Sequence, residues 1–235
     1  MKRLNQIGKK HQTDKATFGY LDVYQDFFES LVYRQDLIIA EVGVLGGSSL
    51  NTWRDFFPNA TIIGIDKVEK GVNERSETVS DDFFKSDENS EFYLCDQSDR
   101  NQLEKTKAQI KQKYSKIDIF IDDGSHFQHD MAITFEIMFD VLSSNGIYIF
   151  EDICTTENLK KGDLWWGGDN TPKIENCIEQ TIIRFIEKKK IENDYIDQLK
   201  ISKIESDIKN CFFYKALTPP LTQFATSSLA VLLKK

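Results

Sequence analysis

Hydrophobic positions along this chain gather into short runs separated by amphipathic stretches. "LIIAEVGV" (Leu37–Val44) is an apolar, β-branched run, the pattern of a strand buried on both faces. "TIIGIDKV", "EFYLCDQ", "KIDIFIDDG" and "GIYIFEDI" repeat it. Between the first two, "SSLNTWRDFFPNA" opens on cap-type serines and closes at Pro58, which predicts a helix. "RNQLEKTKAQIKQKY" predicts a charged amphipathic helix, and "HDMAITFEIMFDVLSSNG" another that Asn145–Gly146 would end. Alternation of this kind predicts an α/β fold with a doubly wound, mostly parallel sheet.

The two ends depart from the alternation. Residues Leu4 to Tyr33 read as mostly helical, so residues 1–35 form an N-terminal helical extension ahead of the first strand. "IENCIEQTIIRFIEKKK" predicts a later helix, and "KNCFFYKAL", "TPPL" and "SSLAVLLKK" predict a C-terminal antiparallel hairpin around a proline turn. The stretch Cys154–Pro172 reads as a loop long enough to suggest function. Its Trp165 and Trp166 are either core anchors or a platform for a sugar ring. With no repeat or low-complexity linker, residues 1–235 read as a single domain.

Composition narrows the classes of function. Across 235 residues, 40% hydrophobic and 29% charged, the chain is long enough to bury a sizeable core. A net charge of −8 argues against non-specific nucleic-acid binding and against an anionic membrane partner. A small-molecule or glycan acceptor fits better, and a homo-oligomer is compatible with the sequence. "MKRLNQIGKK" lacks the apolar centre of a secretory signal, and no apolar run approaches membrane-spanning length. Four cysteines with no CxxC spacing argue against zinc and suit a reducing, cytoplasmic setting.

Two groups of residues carry candidate chemistry. The first is "AEVGVLGGSSL", a glycine-containing turn between a strand and a helix, with Gly43, Gly46 and Ser48 assigned to a bound nucleoside. Glu41 precedes the first glycine, where a pyrophosphate would be repelled and a cationic ligand accepted. Asp66 ends the next strand at the spacing of a ribose-binding acid. S-adenosylmethionine, a nucleoside bearing positive charge, fits both acids, and Asp96 and Gln97 could meet its adenine edge. The second group lies in "FIDDGSHFQHD" and "FEDI", which close the fourth and fifth strands. Converging carboxylates need a proton or a cation between them. Hard oxygens favour Mg2+, predicting a site of Asp123, Glu151 and Asp152, with Asp122 nearer the cofactor. His126 is the candidate base that takes a proton from a substrate hydroxyl. His129 is left without a role.

At these residues the chain resembles the metal-dependent class I S-adenosylmethionine methyltransferases. The likeness is greatest to the macrolide and polysaccharide sugar O-methyltransferases of the mycinamicin type. The stretches "HQTDKATFGYLDVYQDFF", "AEVGVLGGSSLNTWRDFFPNATIIGID", "CDQSD", "IFIDDGSHFQHD" and "GIYIFEDI" carry the resemblance. It implies a Rossmann-like seven-stranded sheet, Mg2+ at Asp123, Glu151 and Asp152, and a base at His126. It also implies that "TDK", from Thr13 to Lys15, folds over the cofactor, giving Thr13 and Lys15 a binding role. Other readings stay open at this stage: transfer to a sugar amine, a nucleotide-binding oxidoreductase, a same-fold hydroxylase, or a binding module without chemistry.

Overall fold

Alternation along each strand sorts its side chains between two cores. Ile38, Ala40 and Val42 of β1 (Ile38–Val42) enter one core, and Ile39 enters the other. The same split separates Phe120 from Ile119 and Ile121 in β4 (Ile117–Asp122). In β5 (Leu142–Ile153) it separates Tyr148 and Phe150 from Ile147 and Ile149. Both faces of these strands are therefore covered, as their largely apolar runs predict. The computed structural model describes residues 2–68, 88–154, 156, 173–215 and 228–235.

Among the described residues, one sheet of seven strands runs in the order β3-β2-β1-β4-β5-β7-β6. Strands β2 (Thr61–Asp66) and β3 (Ser90–Leu94) extend it on one side of β1, and β4 and β5 on the other, all parallel. The pair β6 (Ile208–Tyr214) and β7 (Ser228–Lys234) is antiparallel, with β7 running against β5. The expected Rossmann-like sheet and C-terminal hairpin are present. The connection between the hairpin strands, with the "TPPL" turn, lies outside the described residues, as does most of Cys154–Pro172 with Trp165 and Trp166.

Helices α1 (Arg3–Lys10), α2 (Tyr20–Phe28) and α3 (Ser48–Phe56) cover one face. Their Leu4, Tyr24, Phe28 and Trp53 share a core with Ile39, Ile121 and Ile149. Helices α4 (Arg100–Tyr114), α5 (Gln128–Val141), α6 (Ile178–Lys188) and α7 (Gln198–Asp207) cover the other. Two boundaries depart from expectation. The polar helix α7 carries little periodic signal and has no counterpart in the sequence reading. Helix α5 stops at Val141 rather than at Gly146, and β5 begins there. Lys234 of β7 explains that stop: its Nζ donates to the carbonyls of Phe139 (2.9 Å), Asp140 (3.2 Å) and Leu142 (2.9 Å), a cation on a helix C-terminus.

Candidate active site

The C-terminal ends of β1, β2 and β4 meet beneath the glycine turn. Gly43 takes φ +89°, and a Cβ there would lie 1.8 Å from the Asp123 carbonyl oxygen. Only glycine permits that crossing of β1's turn over the end of β4. Asp66 holds the turn from β2: its Oδ2 accepts from the Val44 amide (2.8 Å) and the Leu45 amide (3.4 Å). Asp96, just past β3, accepts at one oxygen from the amide (2.9 Å) and hydroxyl (2.7 Å) of Ser98. These groups line a cavity of about 910 Å3, whose far wall includes Phe127, His129 and Tyr195. That volume lies in the range of small-molecule sites. His129 stands edge-on to Tyr195, with ring centres 5.1 Å apart.

Beside this cavity lies a buried group of acids around one lysine. The turn Asp14–Ala16 delivers Lys15, 1% exposed, into the sheet's end. Its ammonium contacts Asp123 Oδ2, Glu151 Oε2 (2.9 Å) and Glu41 Oε1 (3.4 Å). Trp53 Nε1 donates to the second oxygen of Glu41, and the Tyr24 hydroxyl to that of Glu151. One ammonium thus serves three carboxylates. Burial works against the charge on Lys15, but Asp123, Glu151 and Glu41 overcome it and hold its pKa well above the ordinary value. One ammonium does not balance these acids, and they keep protons in place of the missing positive charge. Burial pushes Glu151 up to about 8 despite Lys15, with Glu41 adding to the rise. Burial and Glu151 likewise push Asp123 well above the carboxylate range.

Among the described residues, Asp123, His126 and Asp152 form a group of metal-type donors lying within 4.8 Å of one another. His126 Nε2 is 4.0 Å from Asp123 Oδ1 and 3.9 Å from Asp152 Oδ2, too far to hydrogen-bond either. The other Asp152 oxygen accepts from the Tyr20 hydroxyl at 2.5 Å. Burial lowers the pKa of His126, so its imidazole is neutral at pH 7. Both His126 (φ 60°) and Asp152 (φ 50°) sit in the left-handed region, a strain common where side chains must converge. Two hard carboxylate oxygens beside buried acids that lack enough positive charge suit a divalent cation such as Mg2+.

The structure brings Asp123 and Asp152 of the expected cation site together with His126, and sets Gly43, Asp66, Asp96 and Gln97 along the cavity. It places others differently. Glu151 is outside the three-residue group because Tyr24 and Lys15 take its two oxygens. Glu41, fully buried, faces Lys15 and Trp53, so the positive charge it answers is the protein's own. Lys15 lies under the turn among acids, while its neighbour Asp14 lines the cavity. Thr13 is buried there, its amide bonded to the Gly8 carbonyl at 3.1 Å. Asp122 points away from Asp123 and accepts from Gln97 (2.6 Å) and the Tyr148 hydroxyl (3.2 Å) inside the other core. Burial pushes Asp122 up to about 7. Gln97's Nε2 makes the bond to Asp122 and its Oε1 accepts from the Ser125 amide at 2.8 Å, so both polar atoms of the side chain bind protein. Gly46 sits in the turn and Ser48 opens α3, half-buried. Tyr20, Tyr24 and Trp53 had no place in the sequence reading, although the i, i+4 spacing of the two tyrosines was visible.

Comparison with known proteins gives this geometry a setting. The chain is 30% identical to the mycinamicin VI 2''-O-methyltransferase of Micromonospora griseorubida, over 65% of this chain and 36% of that protein. It is 25% identical to the L-olivosyl-oleandolide 3-O-methyltransferase of Streptomyces antibioticus, over 74% and 41%. It therefore spans less than half the length of the curated relatives it matches. The MycE methyltransferase of the mycinamycin biosynthetic pathway, solved with Mg, SAH and mycinamycin VI, aligns with 99% of this chain and 54% of its own. Its TM-score is 0.67 at 20% identity, a likeness of fold. Residues 46–209, most of the chain, match the methyltransferase domain family, and the chain belongs to that family.

Proposed function

We propose that this chain transfers a methyl group from S-adenosylmethionine to a hydroxyl of a sugar or sugar-containing acceptor, with Mg2+ assisting. One observation carries the reading: a histidine between two carboxylates, backed by buried acids with a single lysine among them, at the edge of a nucleoside-sized cavity. The relatives' names, which describe O-methylation of glycosides, support the acceptor class.

The roles follow from position. When bound, S-adenosylmethionine supplies the electrophilic methyl carbon, and the cation lowers the pKa of the acceptor hydroxyl. Asp123 and Asp152 would hold the cation through the oxygens that face His126. His126 Nε2 takes the hydroxyl proton, as a neutral buried imidazole can. Asp66 keeps the glycine turn in the shape that admits the nucleoside.

Chelation tests the reading. Incubation with S-adenosylmethionine, Mg2+ and a panel of nucleotide sugars and glycosides should give a mass gain of one methyl group, lost in EDTA and restored by excess Mg2+. Undiminished turnover in EDTA removes the cation from the mechanism and favours an amine acceptor, which needs less help. His126→Ala should lower kcat by about a hundredfold or more while the affinity for S-adenosylhomocysteine stays unchanged. An unchanged rate removes it as the base.

A further inference from the structure

Residues 13–24 precede the stretch that matches the methyltransferase family. Three of their side chains nonetheless end on the strand-end acids. Tyr20 donates to Asp152 Oδ1 (2.5 Å), Tyr24 to Glu151 Oε1, and Lys15 to Asp123 Oδ2 and Glu151 Oε2. Tyr20 and Tyr24 lie four residues apart on α2 and so share a face.

Adjacent residues of a regular strand point to opposite faces, so one helix should not reach both Glu151 and Asp152. β5 breaks its alternation there. Its pairing with β7 passes from Phe150↔Ala230 to Ile153↔Ser228, three residues on β5 against two on β7. The extra residue is a bulge, and Asp152 takes φ 50° within it. Ile153 then rejoins the core that holds Phe150, while Asp152 meets Tyr20 on the side of α2. Asp123 and Asp152 are thereby treated alike. Each has one oxygen held by the N-terminal segment and the other turned to His126.

We infer that Tyr20 is a positioning residue: it fixes Asp152 so that Oδ2 faces the cation site, and with Lys15 it makes the N-terminal segment the outer shell of that site. The inference rests on the cation-assisted reading above. Partners that orient ligating carboxylates typically contribute ten- to hundredfold to metal affinity.

Mn2+ alone, followed by its paramagnetic resonance signal, is the probe, titrated into the full chain without acceptor. Tyr20→Phe keeps the ring in the core and removes only the hydroxyl. Mn2+ should bind Tyr20→Phe about tenfold or more weakly than the wild type, with unchanged affinity for S-adenosylhomocysteine. Asp152→Asn should bind more weakly still. A tyrosine that served packing alone would change the melting temperature without moving the Mn2+ affinity. Binding by Tyr20→Phe within about twofold of the wild type overturns the inference and leaves the cation site standing. A wild type that binds Mn2+ no better than Asp152→Asn overturns the cation reading, and the inference with it.

Discussion

Two buried glutamates on opposite faces of the sheet show what separates a structural acid from a chemical one. Glu136 on α5 is gripped by Arg100 (2.5 and 2.8 Å), Lys200 (2.7 Å) and the Asp197 amide (2.8 Å). Burial would push it up, but these partners hold it at about 2. Glu151 at the end of β5 shares one lysine with Asp123 and Glu41, and burial pushes it to about 8. The residue type is the same. The number of cations per carboxylate differs, and only the second arrangement leaves an unmet demand for positive charge.

Substitutions can break or sharpen that contrast. The largest effect belongs to Asp152→Asn, which should abolish cation-dependent methyl transfer, a loss above about a hundredfold, with S-adenosylhomocysteine still bound. Single-turnover assays across Mg2+ concentrations measure it; a rate near wild type would place the cation elsewhere. Next comes Lys15→Met, which leaves three buried carboxylates without their ammonium and should cost about 3–5 kcal/mol in urea unfolding. A change under about 1 kcal/mol would mean the acids are already neutral without it.

Glu136→Gln should cost on the order of 3 kcal/mol at pH 7, from the difference between about 2 and the ordinary 4.5. Because the folded-state pKa is depressed, this stability is fully present above the unfolded-state value. It is lost as pH falls through about 2, and the two proteins should converge there. Unfolding curves at pH 7 and pH 3 check the sign; a gap that widens on acidification contradicts it. Smallest is Asp66→Ala, which should weaken S-adenosylhomocysteine binding by about tenfold, roughly one charge-assisted hydrogen bond, with no change in Mn2+ affinity. Equal calorimetric affinity would detach Asp66 from the nucleoside site.

What the sequence made legible divides along the same line. Strands β1, β2, β4 and the second half of β5 were readable because strands buried on both faces are largely apolar, and the edge strand β3, only half-buried, from its short aromatic run. Asp66 stood out by its spacing, as a ribose-binding acid, but its hold on the Val44 and Leu45 amides was not legible, since it joins two strands through a turn. Glu41 was misread because its partner lies in the distant turn Asp14–Ala16: a carboxylate beside a glycine turn invites a cationic ligand until Lys15 is seen to arrive first. The pleat could have separated Asp122 from Asp123, since neighbours in a strand part company across the sheet. It could not have rejoined Glu151 and Asp152, because that takes a bulge fixed by β7, nearly eighty residues on. Helix α7 escaped because its hydrophobic content is thin.

The reach of Lys15 also bears on the order in which the molecule assembles. Its partners Asp123 and Glu151 lie 108 and 136 residues further along, and Tyr20 is 132 residues from Asp152. Contacts so distant in sequence close long loops and gain nothing until the central strands have paired. The acid cage should therefore form late in folding. In reverse, detachment of the N-terminal segment would uncover the acids together with the core that Tyr20, Leu21 and Tyr24 share with Ile39, Ile121 and Ile149. Amide exchange in residues 20–24 should then track exchange in β1 and β4, so that losing the chemistry and opening that face of the fold are one event.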